Sequence, residues 1–168
     1  MRRRTLLTVG LAAGTLLAVV GGTLATLRPA RRDGRLTDSG REIFVALAPA
    51  VLTGMLPAQP AVRAAALQAY LGRVQDALLG LSPALQGEVD ELLTIAASGV
   101  GRRALVGLAT PWAEASATEV QAALGAMRDS SLALRQQAYH ALRDLTSASW
   151  FSDESTWAAI GYPGPMAV

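Results

Sequence analysis

The chain offers few side chains that could carry out a reaction. His140 is its only histidine, and it has no cysteine, whereas a zinc or iron site needs several such ligands or carboxylates beside them. The lack of cysteine also excludes a disulfide, a thiolate nucleophile and an iron–sulfur ligand. A lone histidine in a predicted helix is more often structural than catalytic. The functional alternative for His140 is a hydrogen-bonding residue at a partner surface.

Other patterns that could carry chemistry are equally weak. The carboxylates of Glu88, Asp90 and Glu91 cluster on one predicted helix. Because adjacent residues do not share a helix face, this cluster predicts a solvated surface and not an acid–base pair. The glycines in residues 99–107 lack the Lys-Ser/Thr of a phosphate loop, and no serine lies in a Gly-x-Ser-x-Gly turn. We therefore expect no catalytic residue, no metal site and no cofactor of its own, and an independent enzyme ranks last among the hypotheses.

The charge balance bears on nucleic acid as a partner. All 15 basic residues are arginines, against 13 acidic residues. Three of the arginines lie within residues 1–25, so the rest of the chain is close to neutral. It has no basic stripe suited to a phosphate backbone. We therefore expect no binding to nucleic acid.

The N-terminal residues have the layout of a twin-arginine export signal. Arg3 and Arg4 are followed by Leu6 and Leu7, and no charged residue occurs from Thr5 to Leu27. A small-x-small site in residues 23–25 would allow cleavage. The alternative is an uncleaved anchor, because 23 uncharged residues are long enough to span a bilayer. Residues 1–27 are thus predicted to be a signal or anchor that engages the twin-arginine translocase, and the protein to be periplasmic, with inner-membrane association if the segment is retained.

The remaining sequence predicts an all-α protein. Alanine and leucine dominate, which favours helices, and no run alternates with the period of a strand. We expect a polar linker at 28–36, then a single helical domain at 37–168 folded as an irregular bundle of about five helices. The predicted helices run from Thr37 to about Gly54, at 61–79, from Ser82 to about Ser98, at 116–149 with a kink or division at 129–131, and at 152–160. A short helical turn is expected at 104–108.

Aromatic residues concentrate near the C-terminus. Such side chains are enriched in the centres of interfaces. The alternative is that Trp150 and Trp157 close the end of the bundle, since aromatic residues serve both purposes. The predicted partner interface consists of Trp150, Phe151, Trp157, Ile160, Tyr162 and Pro163.

The same region resembles a known family. The sequence Trp-Phe-Ser-Asp-Glu-Ser-Thr-Trp-Ala-Ala-Ile-Gly-Tyr-Pro-Gly-Pro at 150–165, with Tyr-His-Ala-Leu-Arg-Asp-Leu before it, is similar to the C-terminal signature of the gluconate 2-dehydrogenase subunit 3 family. The resemblance is specific only over residues 128–165 and loose elsewhere.

That resemblance implies a small helical accessory subunit without catalytic residues. Its partner would be a large FAD-dependent dehydrogenase subunit of the glucose–methanol–choline type acting on a sugar or alcohol, usually with a cytochrome c subunit as electron acceptor. FAD would belong to the partner, and the small subunit would supply the export signal and assist folding. The alternative is a stand-alone, membrane-anchored periplasmic protein that binds a small apolar ligand within its bundle. Nothing in the sequence specifies the substrate.

Overall fold

A computed structural model describes residues 29–164, and within this range the protein is an irregular helical bundle, which confirms the predicted fold class. Five helices form its body: α1 at Asp38–Val51, α2 at Pro60–Leu79, α3 at Pro83–Ala97, α4 at Ala117–Arg128 and α5 at Ala133–Phe151. A one-turn helix at Gly99–Gly101 continues into a π-helix at Arg102–Val106, and a 3₁₀ helix at Glu154–Ile160 follows α5. Arg3, Arg4, Leu6 and Leu7, which are predicted to form the export signal, lie outside the described residues.

Capping side chains fix several helix starts where the sequence predicts them. The hydroxyl of Thr37 accepts a hydrogen bond from the backbone N–H of Gly40, and that of Ser82 does the same for Leu85, with Pro83 in the first turn. At α4, Ser116 and Glu119 form a complete capping box, in which each side chain accepts from the backbone N–H of the other residue. These bonds satisfy N–H groups that have no partner within the helix.

The sequence predicts a helix at 116–149 with a kink or division at 129–131, and the structure divides it into two helices. Helix α4 ends at Arg128, and Asp129 takes a non-helical conformation. Leu132 is extended, with φ −87° and ψ 112°, and begins α5. The division allows α5 to fold back against α4, so the two helices pack as neighbours.

The hydrophobic core lies around α1, which packs against each of the other four helices. Apolar residues at helical spacing, such as Phe44, Leu47, Val74 and Leu142, are fully buried. Val62, an apolar residue near the start of α2, is instead 48% exposed. Every residue from 60 to 65 is exposed, so the first turns of α2 do not contribute to the core.

Residues 30–36, within the predicted polar linker, form a small hairpin packed on the bundle. Strand β1 at Arg31–Arg32 pairs antiparallel with β2 at Arg35–Leu36. Asp33 and Gly34 make the turn, both with positive φ (50° and 75°), which is the geometry of a tight hairpin. Each strand has only two residues and cannot show a period of two, so the sequence pattern does not predict them.

A close backbone approach joins the hairpin to α1. Ala30 is fully buried, and its carbonyl oxygen accepts from the N–H of Thr37 at 3.0 Å. A Cβ atom on Gly40 would lie only 2.2 Å from that same oxygen. Arg31, also buried, forms an ion pair with Asp90 on α3. The hairpin is therefore an integral part of the domain.

Between residues 29 and 164, none of the helices combines the length and apolar character that a membrane crossing requires.

Candidate interaction surfaces

The described residues contain no obvious reaction centre. His140 is exposed on α5, and its ring meets that of Tyr139 edge-on at a centroid distance of 5.1 Å. Within residues 29–164, no three histidine or carboxylate side chains lie close enough together to hold a metal ion. The carboxylates predicted to form a solvated face are partly to fully exposed on α3, and Asp90 is engaged by Arg31.

Trp150 lies in the core. Only 4% of it is exposed, and its ring meets that of Tyr70 edge-on at 6.1 Å. Tyr70 is fully buried, and this burial raises the pKa of its hydroxyl above the usual range because the phenolate would lose hydration. The expectation that Trp150 belongs to a partner surface is therefore corrected: its side chain closes the bundle between α2 and α5.

The chain after Trp150 is attached to the bundle through Arg73. This α2 residue donates from Nε to the carbonyl oxygen of Ser149 at 2.8 Å and from Nη1 to the carboxylate of Asp153 at 3.0 Å. Asp153 also caps the 3₁₀ helix by accepting from the backbone N–H and the hydroxyl of Ser155. The bonds from Ser155, and then the charge of Arg73, lower the pKa of Asp153.

The remaining predicted interface residues lie along this attached segment. The indole N–H of Trp157 donates to the carbonyl oxygen of Phe151 at 2.7 Å, and both side chains are half-buried. The ring of Tyr162 packs edge-on against Trp157 at 5.2 Å. Ile160 and Tyr162 remain 49% and 46% exposed, and Pro163 is exposed beside them. We call residues 151–163 the C-terminal aromatic segment; it presents a small apolar surface on a fixed backbone.

A second surface is an apolar groove that the sequence did not predict. It encloses about 1470 Å³ between the hairpin, the start of α1, helix α3, the π-helix and the first half of α5. Its apolar walls are Leu85, Val89, Leu92, Ile95, Val100, Leu105, Leu132, Leu134 and Ala138. Leu85, Val100 and Leu132 are exposed at its mouth. We refer to this site below as the apolar groove.

The groove exists because two helices with apolar faces pack mainly on other elements. Helix α5 packs on α1, α2 and α4, whereas α3 packs on α1 and the π-helix. The apolar sides of α3 and α5 that face each other thus remain partly open. Apolar clefts of this kind are often binding sites.

The π-helix that closes one end of the groove is held by two arginines. Arg135 on α5 donates to the carbonyl oxygens of Leu105 and Val106, at 2.9 and 3.4 Å. Arg102 is buried and donates to the carbonyls of the following loop at 3.3 Å. Burial lowers the pKa of Arg102. Such π-helical turns occur frequently at functional sites, and here the turn places Leu105 in the wall.

Four carboxylates line the groove: Asp38 and Glu42 from α1, and Glu88 and Glu91 from α3. None of them takes part in the ion pairs found among residues 29–164. The groove also contains Arg32 and Arg135, whose positive charges offset two of these four negative charges. The edge of the groove therefore carries an excess of negative charge.

Comparison with protein-family models, with curated proteins and with solved structures found no match to this chain.

Proposed function

We propose that the chain is a non-catalytic accessory subunit that accompanies a large FAD-dependent dehydrogenase subunit of the glucose–methanol–choline type into the periplasm. The structural observation that carries the proposal is the C-terminal aromatic segment. Arg73 holds its start on the bundle, while Ile160, Tyr162 and Pro163 remain exposed. An apolar surface on a fixed backbone can bind a partner with little loss of conformational entropy.

Two features of the sequence support the same role. The segment that carries the exposed residues is the part of the chain that resembles the gluconate 2-dehydrogenase subunit 3 family. The pair Arg3-Arg4 before an uncharged run has the form of a signal for folded cargo. In this proposal the chain supplies the export signal for both subunits and assists folding of the large one. FAD resides in the partner, and a cytochrome c subunit accepts the electrons.

The export role is tested by replacing Arg3 and Arg4 with lysine together. We expect both this chain and the large subunit to remain in the cytoplasm, because the partner depends on the signal carried here. Replacement of Arg2 by lysine leaves the pair intact and should permit export of both. Fractionation followed by quantitation of each subunit provides the measurement. A large subunit that still reaches the periplasm with the double variant would contradict the escort role.

The alternative function is that of a stand-alone, membrane-anchored periplasmic protein that binds a small apolar ligand, and the apolar groove is where such a ligand would bind. Solvent extraction of the purified protein, followed by mass spectrometry, separates the two functions. A single apolar compound recovered in a one-to-one ratio, from protein that has no flavoprotein partner, would favour the alternative. Protein that yields no such compound and retains its partner would favour the accessory role.

A further inference from the structure

The size and exposure of the apolar groove are better suited to a stretch of polypeptide than to a small molecule. Its volume of about 1470 Å³ exceeds the range of roughly 300–1,000 Å³ that is typical of small-molecule pockets. It is also accessible along its mouth, where 68% of Val100 is exposed. Peptide segments bind to open grooves of this kind by laying an apolar face against the wall.

The charges at the groove specify the chemistry of the occupant further. Asp38 and Glu42 are four residues apart on α1, and Glu88 and Glu91 are three apart on α3. Like charges at these spacings repel and destabilise a helix. The position of Asp38 in the first helical turn offsets part of that cost through the helix dipole, but the other three have no such compensation. An occupant with positive charges beside an apolar stretch would reduce the repulsion between these carboxylates.

One segment of the chain has this composition and is attached next to the groove. Residues 5–27 contain no charged side chain, and arginines precede them at 2–4 and follow them at 28. Residues 1–28 lie outside the described part of the chain, and their connection to it, Pro29, lines the groove. Covalent attachment gives such a segment an effective concentration on the order of millimolar at a neighbouring site.

We infer that the apolar groove binds residues 1–28 of its own chain, with the uncharged stretch against the Leu92 wall and the arginines at the acidic edge. The folded domain would then hold its own twin-arginine motif, and release of that motif would precede use of the signal. The inference goes beyond the accessory role, because it requires neither a flavoprotein nor export.

Photo-crosslinking of the full chain tests this inference. The chain is produced without the translocase, so that residues 1–28 are retained, and a benzophenone amino acid replaces either Val100 or Val62. Both valines are exposed, but only Val100 lines the groove, so Val62 is a matched control. After irradiation, mass spectrometry identifies the crosslinked peptides. A mixture of isotopically labelled and unlabelled chains distinguishes crosslinks within one chain from those between copies.

We expect crosslinks from position 100 to residues 1–28 of the same chain, and none of these from position 62. Replacing Glu42, Glu88 and Glu91 with glutamine together should lower the crosslink yield severalfold, whereas Glu154→Gln, away from the groove, should leave the yield unchanged. Crosslinks between copies, crosslinks to another molecule, or no crosslink from position 100 would each overturn the inference.

Discussion

The guanidinium group of Arg73 binds both the carboxylate of Asp153, at 3.0 Å, and the carbonyl oxygen of Ser149, at 2.8 Å. One α2 side chain thereby fixes both the end of α5 and the cap of the following 3₁₀ helix. The exposed residues Ile160, Tyr162 and Pro163 lie at and just beyond the end of that 3₁₀ helix. We infer that this contact sets the position of the surface that we propose as the partner-binding site.

The Arg73–Asp153 contact makes a modest contribution to stability. Because the two side chains are 22% and 34% exposed, solvent screens the pair, and we expect a coupling energy of about 0.5–1 kcal/mol. Urea unfolding of Arg73→Ala, Asp153→Asn and the double variant measures it. Hydrogen exchange should quicken in residues 154–160 of each variant. If the two substitutions change the free energy of unfolding additively, the two side chains do not stabilise each other.

The two tryptophans should differ in what their removal affects. Trp150→Ala opens a cavity in the core against Tyr70, and we expect it to lower the free energy of unfolding by about 3–5 kcal/mol. Trp157→Ala removes a half-buried ring, so it should lower the free energy of unfolding by less than Trp150→Ala does. It should weaken partner binding by about 2 kcal/mol, the scale of an interface hot spot. Unfolding and binding measured on the same samples separate these effects. Unchanged partner binding of Trp157→Ala would assign Trp157 to the fold alone.

The capping box of α4 predicts a specific dependence on pH. Hydrogen bonds from the Ser116 and Thr110 hydroxyls and the Ser116 N–H lower the pKa of Glu119 to about 2, whereas an unfolded glutamate titrates near about 4.3. The bonds therefore stabilise the fold fully above the unfolded pKa, and this contribution is lost as pH falls from about 4.3 to about 2.

Melting temperatures from pH 2 to pH 6 test this capping contribution. The difference between the unaltered protein and Glu119→Gln should shrink as the pH falls through that window. Glu114→Gln removes a neighbouring carboxylate that is not part of the capping box, and should not reproduce this trend. A difference that does not vary with pH would contradict the assignment.

The contact between the hairpin and α1 depends on a missing side chain at Gly40. Gly40→Ala would place Cβ 2.2 Å from the Ala30 carbonyl oxygen, so we expect a loss of about 1–3 kcal/mol as the hairpin is displaced. Gly72→Ala is the matched control, because a Cβ atom there meets open space within α2. It should stabilise the protein by about 0.5–1 kcal/mol. Equal effects in denaturant unfolding would show that the close approach is unimportant.

Much of the fold could be predicted because it depends on local sequence. Thr37, Ser82 and Ser116 cap helices through bonds that span three residues, so their positions are visible in the sequence. The turn at Asp33-Gly34 was also recognisable, because aspartate followed by glycine favours a tight hairpin turn. The hairpin itself is not predicted by the sequence, because strands of two residues show no period.

The candidate surfaces were harder to predict because they depend on packing between distant residues. Trp150 is buried because Tyr70, 80 positions earlier, supplies the facing ring, and no local pattern distinguishes it from a half-buried Trp157. Leu92 and Leu134 each belong to an apolar stripe of a helix, and the sequence pattern does not distinguish them from core residues. They line a groove because α3 and α5 pack on other elements, which is a property of the assembled bundle.

The measurement that tests the accessory role most directly is an affinity purification from periplasm and membranes, with an absorption spectrum of the eluted protein. The tag is inserted after Gly54, in an exposed loop far along the sequence from the C-terminal aromatic segment. We predict a co-purifying large subunit with flavin absorption near about 450 nm, lost when Ile160 and Tyr162 are both replaced by serine. A colourless protein that elutes alone would contradict the account.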